Sequence, residues 1–178
     1  MSQKPYPTPA KLSIPIDAYK VSGYRFGDRV RSRIILWARH LGEDVLADPG
    51  TSIKAIGEGE VIWSEIRPGS KQRRNWGGIV IIGHTHVSTS EQFYSLYGHI
   101  TDLQVKVGDV VQAGDLVGKV AAGHTPENGW WARPHLHFGI YTGPWMGQVL
   151  PGWAKVFEQR TKMHWWQAPQ QFLRRYPK

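Results

Sequence analysis

The sequence predicts an all-β domain of antiparallel strands, built as a sandwich or open barrel. Three observations carry that reading. Strand-like runs of five to nine residues follow one another at short spacing, and Pro-Gly, Asn-Gly and Gly-Asp pairs punctuate them. No long stretch with an apolar period of 3.6 residues occurs before the C-terminus.

Residues 1–30, rich in proline and polar groups, read as an N-terminal arm with little regular structure. The strand series opens with R-I-I-L-W-A from Arg33 and continues through S-I-K-A-I-G, E-V-I-W-S-E-I and the fully apolar G-I-V-I-I-G. Q-F-Y-S-L-Y-G-H-I, L-Q-V-K-V, L-V-G-K-V and H-L-H-F-G-I-Y complete it. Short helices are expected over residues 153–161 and 169–175, where proline can open a helix. The main domain is then 31–145, and 146–178 form a basic, Trp-rich extension that folds back on it.

A chain of 178 residues suits one domain, large enough to bury about 70% of the surface its unfolded form exposes. With no cysteine, disulfides, thiolate metal sites and thiol nucleophiles are excluded, so any metal must be held by His, Asp or Glu. A net charge of +8 and a pI near 9.8 favour polyanionic partners: nucleic acid, anionic lipid or acidic wall polymers. Charge alone does not choose among them. No apolar run is long enough for a membrane span, and no signal-peptide h-region is visible in the first residues.

Three segments present chemistry-bearing side chains. In R-P-H-L-H-F-G-I-Y, alternation puts Leu136, Phe138 and Ile140 on the core face and His135, His137, Gly139 and Tyr141 on the other. In H-L-G-E-D, His40, Gly42 and Asp44 share a face, so parity prefers Asp44 over Glu43 as partner of His40. In F-Y-S-L-Y-G-H-I, the core face takes Tyr94, Leu96 and Ile100, and the open face takes Ser95, Tyr97 and His99. Each segment alone also fits a solvated strand face. Together they suit a catalytic zinc, which wants three ligands from His and carboxylate plus one open position. His40, Asp44 and one of the H-x-H pair supply the set; spacing does not say which. The other histidine and His99 remain as general base and oxyanion stabiliser.

The repeat V-K-V-G-D-V-V-Q-A-G-D-L-V-G-K-V, 105–120, also resembles half of a biotinyl or lipoyl carrier domain. That reading needs an acceptor lysine at a hairpin tip, and Lys119 falls inside a strand-like run instead.

H-L-G-E-D, then Y-G-H, then V-K-V-G-D-V-V-Q-A-G-D-L-V-G, then H-L-H-F follow in the order found in the lysostaphin-type zinc metallopeptidases, which cut peptide cross-bridges of bacterial peptidoglycan. The chain resembles that family over roughly residues 34–141. The resemblance implies the lysostaphin-like, duplicated-hybrid-motif version of the all-β fold and one Zn2+ per chain. It implies His137 as the third ligand beside His40 and Asp44, with His99 and His135 catalytic. It further implies a monomeric, extracytoplasmic endopeptidase acting on peptidoglycan peptides, with anionic wall polymers as further partners and no nucleic acid. The alternative is a non-catalytic activator or binder of wall polymers on the same fold.

One departure stands out. Where the family often has a small pair such as Thr-Gly, Trp130-Trp131-Ala132-Arg133-Pro134 precedes H-L-H-F. Tyr97, His124, Trp130, Trp131 and Arg133 are therefore the candidate substrate groove. His84, in a second H-x-H with His86, is expected to be a structural hydrogen-bonding residue. The basic stretch at Lys71 and the basic tail are expected to be solvated faces.

Overall fold

The computed structural model describes residues 5–29, 38–154 and 158–176. The strand expected from Arg33 falls largely outside them. Among the described residues eleven strands run in chain order: β1 Arg39–His40, β2 Glu43–Leu46, β3 Ser52–Lys54, β4 Gly59–Arg67, β5 Gly77–Thr85 and β6 Gln92–Thr101. Next come β7 Val110–Val111, β8 Leu116–Val120, β9 His135–Tyr141, β10 Trp153–Ala154 and β11 Trp166–Gln167, and the helix α1 spans Pro169–Arg175. All pairings are antiparallel, as the sequence predicts.

The long hairpins β4, β5 and β6 form the middle of one large sheet, and β9 lies beside β6. On its other edge β9 is shared between β2, against its first half, and β11, against its second. L-Q-V-K-V makes no strand; Leu103 and Val105 pack partly against the core, and Val105 spends its carbonyl on the Ser64 hydroxyl.

Both faces of the central strands are covered. Leu136, Phe138, Ile140, Val80, Ile82, Phe93 and Tyr97 join one apolar cluster. Tyr141, Tyr94, Leu96, Ile79, Ile81, Leu150 and Trp166 join a second on the opposite side. Hence every residue of β5 and β9 is buried, and a strand with two apolar faces loses the plain inside–outside alternation. The face bearing the H-x-H pair is open only at its histidine end. Toward Tyr141 it is roofed by the C-terminal extension, whose Trp166 packs on Tyr141 with ring centroids 5.1 Å apart.

Residues 5–29 contain little regular structure but are firmly packed. Tyr6 and Ile16 are buried, and the segment around Ser22 to Asp28 hydrogen-bonds to the backbone of His40 and Asp44. At the other end, of the helix expected over 153–161, residues 155–157 lie outside the described residues; Trp153–Ala154 form β10, which pairs with β1, and Gln159–Thr161 a single 3-10 turn. Helix α1 does form, with Pro169 in its first turn and Arg174 and Arg175 in its last, where they suit the helix dipole. Its Phe172 packs on Phe93.

The Gly-Asp repeat folds as two copies of one turn. Gly108 and Gly114 have φ near +92° and +93°, and Asp109 and Asp115 each accept the backbone N–H three residues earlier. Lys119 pairs with Asp102 from within β8, so the repeat is scaffold. Among the described residues no helix is long and apolar enough to cross a membrane.

Candidate metal centre

His40 ends β1, Asp44 lies in β2 and His137 in β9, and Asp44 and His137 are direct cross-strand partners. Leu41 and a bend at Gly42 separate the two short strands β1 and β2. His40 Nε2 lies 3.2 Å from Asp44 Oδ1 and 3.0 Å from His137 Nδ1, and Asp44 Oδ1 lies 3.2 Å from His137 Nδ1. A tetrahedral ion with bonds of about 2.0–2.1 Å needs donors roughly 3.3 Å apart, so the triangle has the right size.

Other features fit a cation. All three residues are buried, and Asp44 Oδ1 has no hydrogen-bond partner. Burial pushes the His137 ring down to about 4, partly opposed by Asp44, so it is a neutral ligand near pH 7. Burial would raise the Asp44 carboxyl, but the contacts with His137 and His40 outweigh it and hold the group well below the usual carboxylate range. A carboxylate oxygen without a hydrogen-bond partner and two imidazole nitrogens converge on one point; that arrangement suits a metal.

His99 and His135 stand next to this group, with ring centroids 4.6 Å apart. His135 donates Nδ1–H to the Arg133 carbonyl at 2.8 Å, which fixes its tautomer and leaves Nε2 as an acceptor. His99 is held well below its ordinary range by burial, with His135 and His137 adding to the effect.

His99 reaches the site through a bulge. The β5–β6 register shifts between Gly78 and Ile79, and His99 takes φ +63°. The extra residue reverses the parity expected for this strand. Tyr97 turns into the core, where its hydroxyl accepts the Ile56 N–H at 3.1 Å, and His99 alone faces the site. Tyr97 is thus removed from the candidate groove. Gly98 is the third partner in line, opposite His137, and a Cβ there would sit 2.5 Å from the Trp76 ring.

A cleft of about 620 Å³ opens above the ligands. Of the expected groove residues, Trp131 and Arg133 line it. Trp130 and His124 do not: their φ values of +65° and +57° turn the chain, and His124 is exposed. Trp76, Tyr24, Trp153 and Arg74 line it without having been expected. Trp76 donates its indole N–H to the Leu150 carbonyl and sets its ring 4.9 Å from His137 and 5.4 Å from His99. Tyr24 and Trp153 lie 5.5 and 5.1 Å from the His40 ring. Both come from the terminal segments, which therefore wall the cleft as well as pack on the domain.

His84 lies elsewhere and is fully satisfied: Nδ1–H donates to the Glu58 carbonyl at 2.7 Å and Nε2 accepts the Ser95 hydroxyl at 2.8 Å. It has the structural part expected of it.

Residues 38–149 match the sequence pattern described as Peptidase family M23. Lysostaphin of Staphylococcus simulans is 34% identical over 102 residues, which are 56% of this chain and 17% of that protein. Murein hydrolase activator EnvC of Escherichia coli is 27% identical over 132 residues, 70% of this chain and 27% of that protein. The chain thus spans less than a third of either curated relative. The solved structure of the antimicrobial peptidase lysostaphin from Staphylococcus simulans superposes with a TM-score of 0.61 at 25% identity, covering 96% of this chain and 57% of that one.

Proposed function

The chain belongs to Peptidase family M23, and from that premise we propose that it hydrolyses peptide bonds of bacterial peptidoglycan, using one zinc ion held by His40, Asp44 and His137. The observation that carries this reading is the buried triangle of donor atoms with edges of 3.0 to 3.2 Å, opening onto a cleft that two further histidines line.

Zinc bound there would supply Lewis acidity, bringing the acidity of a water near neutral pH and polarising the scissile carbonyl. The chain's own residues divide the rest. His135, with Nδ1–H tied to Arg133, offers Nε2 to take the proton from the attacking water and return it to the leaving amine. His99, neutral through burial, offers a ring N–H to the oxygen of the scissile carbonyl as negative charge grows on it. Trp76 keeps both the His99 and the His137 ring from turning. Tyr24, Trp131 and Trp153 shield the cleft and hold the peptide along it.

Catalysis is assigned to the unit 31–145, with the 1–30 arm and the 146–178 extension closing the cleft at its sides. The reading places the protein outside the cytoplasm, where peptidoglycan lies. Likeness to a murein hydrolase activator favours a non-catalytic alternative. Against it stands the complete donor set in this chain.

Purified peptidoglycan incubated with the protein decides between them. Release of new amino groups that stops on chelation and returns with zinc is expected; bound zinc without any release would leave the activator reading.

A further inference from the structure

Two arginines stand in the cleft wall with no anionic partner. Arg74 and Arg133 both line the cleft, and among the described residues neither forms an ion pair. Among the described residues the one acidic side chain lining the cleft is Asp44, already committed to His40 and His137. Arg74 is held in place: its guanidinium lies over the Trp131 ring at 4.7 Å, and Trp131 donates its indole N–H to the Asn75 carbonyl at 3.3 Å. Stacking of this kind orients a guanidinium and leaves its N–H edges free. The backbone of Arg133 is held by its carbonyl, which accepts the His135 Nδ1–H, and its side chain is exposed.

The wall is two loops tied together, Gly69 N–H to Pro126 and Asn75 N–H to Gly129. Lys71 and Arg73 add positive charge on the first loop; Glu127, on the second, does not line the cleft. A guanidinium stacked on Trp131 and a second, exposed one, neither in an ion pair among the described residues, stand beside a peptide-sized cleft and offer N–H groups to carboxylate oxygens.

We propose that Arg74 and Arg133 form a carboxylate-recognising subsite, so that the protein selects peptides with a free carboxylate close to the scissile bond over the same peptides without one. The inference rests on the peptidase reading for its substrate but is tested apart from it.

The probes are cross-linked stem peptides released from bacterial peptidoglycan and the same peptides with their carboxyls converted to amides. Binding to the full chain, stripped of metal so that no turnover intervenes, is read by tryptophan fluorescence. Hydrolysis is read separately on the zinc-loaded protein. The free-carboxyl form is expected to bind about tenfold tighter, with the preference shrinking in high salt because both arginines are exposed. R74Q and R133Q should each cut the preference about threefold and the double variant should abolish it. Equal binding of the two forms, binding of neither, or a preference that survives in the double variant overturns the subsite. A preference in binding with no hydrolysis of either form sinks the peptidase reading and leaves the subsite standing.

Discussion

Asp44 and His137 face each other directly across the β2–β9 ladder, with Oδ1 and Nδ1 3.2 Å apart. Direct cross-strand partners have their Cβ atoms about 4.5–5.5 Å apart, so the sheet itself sets this part of the donor triangle. His135, two residues back on the same strand, is outside the triangle. His137→Ala and Asp44→Ala are therefore expected to lose bound zinc and turnover together. His135→Ala should keep zinc while turnover falls about 10²- to 10⁴-fold. Metal analysis of the purified variants beside their rates checks the division; equal zinc loss from His135→Ala would place that ring among the ligands.

Gly42 separates His40 from Asp44 for a reason that lies on another strand. A Cβ at this position would come within 2.6 Å of both His137 Nε2 and the Phe138 carbonyl. Neither can retreat easily, since β9 is buried along its whole length. Gly42→Ala should push the His137 ring off its place and cost about 1–3 kcal/mol of stability. Zinc affinity should drop about 10- to 100-fold, as when a supporting group is lost. Competition with a chelator of known affinity measures it.

The sequence foretold what depends on local pattern. H-L-G-E-D offers His40 and Asp44 on one face and H-L-H-F an H-x-H pair, the family resemblance implies His137 of that pair, and the structure brings His40, Asp44 and His137 within 3.2 Å. The Gly-Asp repeat likewise announced its turns, because each needs a glycine at positive φ. What escaped was non-local or strained. A histidine at φ +63° is an unexpected bulge residue, so strict alternation put Tyr97 and His99 on one face when they lie on opposite sides. Tyr24 and Trp153 sit in segments with no periodicity, and only contact with His40 gives them a place in the cleft. Where a helix is expected from Trp153, that residue pairs with His40 instead, a tertiary contact that overrides weak local propensity.

The core position of Tyr97 separates two readings by measurement. Its hydroxyl accepts the buried Ile56 N–H, so Tyr97→Phe leaves that donor unpaired and should cost about 1–3 kcal/mol. A groove residue would behave differently: stability would hold and KM would rise. Urea unfolding and steady-state kinetics on the same preparation are expected to give lower stability with KM unchanged.

His84 links stability to pH through a group remote from the metal. Burial lowers it to about 4 from an ordinary value of 6.5, opposed in part by its bond to the Glu58 carbonyl. A lowered folded-state value means that the unfolded chain takes up the proton first as pH falls. The contribution is thus full above about 6.5, declines below it, and is lost by about pH 4. The fall in stability from pH 7.5 to pH 5 attributable to this ring is about 2 kcal/mol. His84→Gln has no such proton to exclude. It should be less stable than the wild type at pH 7.5, because the Ser95 and Glu58 partners are then imperfectly met, yet the gap should narrow by that amount at pH 5. Denaturant midpoints of both proteins at the two pH values, with zinc kept saturating, test this. A gap independent of pH would mean that the ring takes up its proton at the same pH in the folded and the unfolded chain.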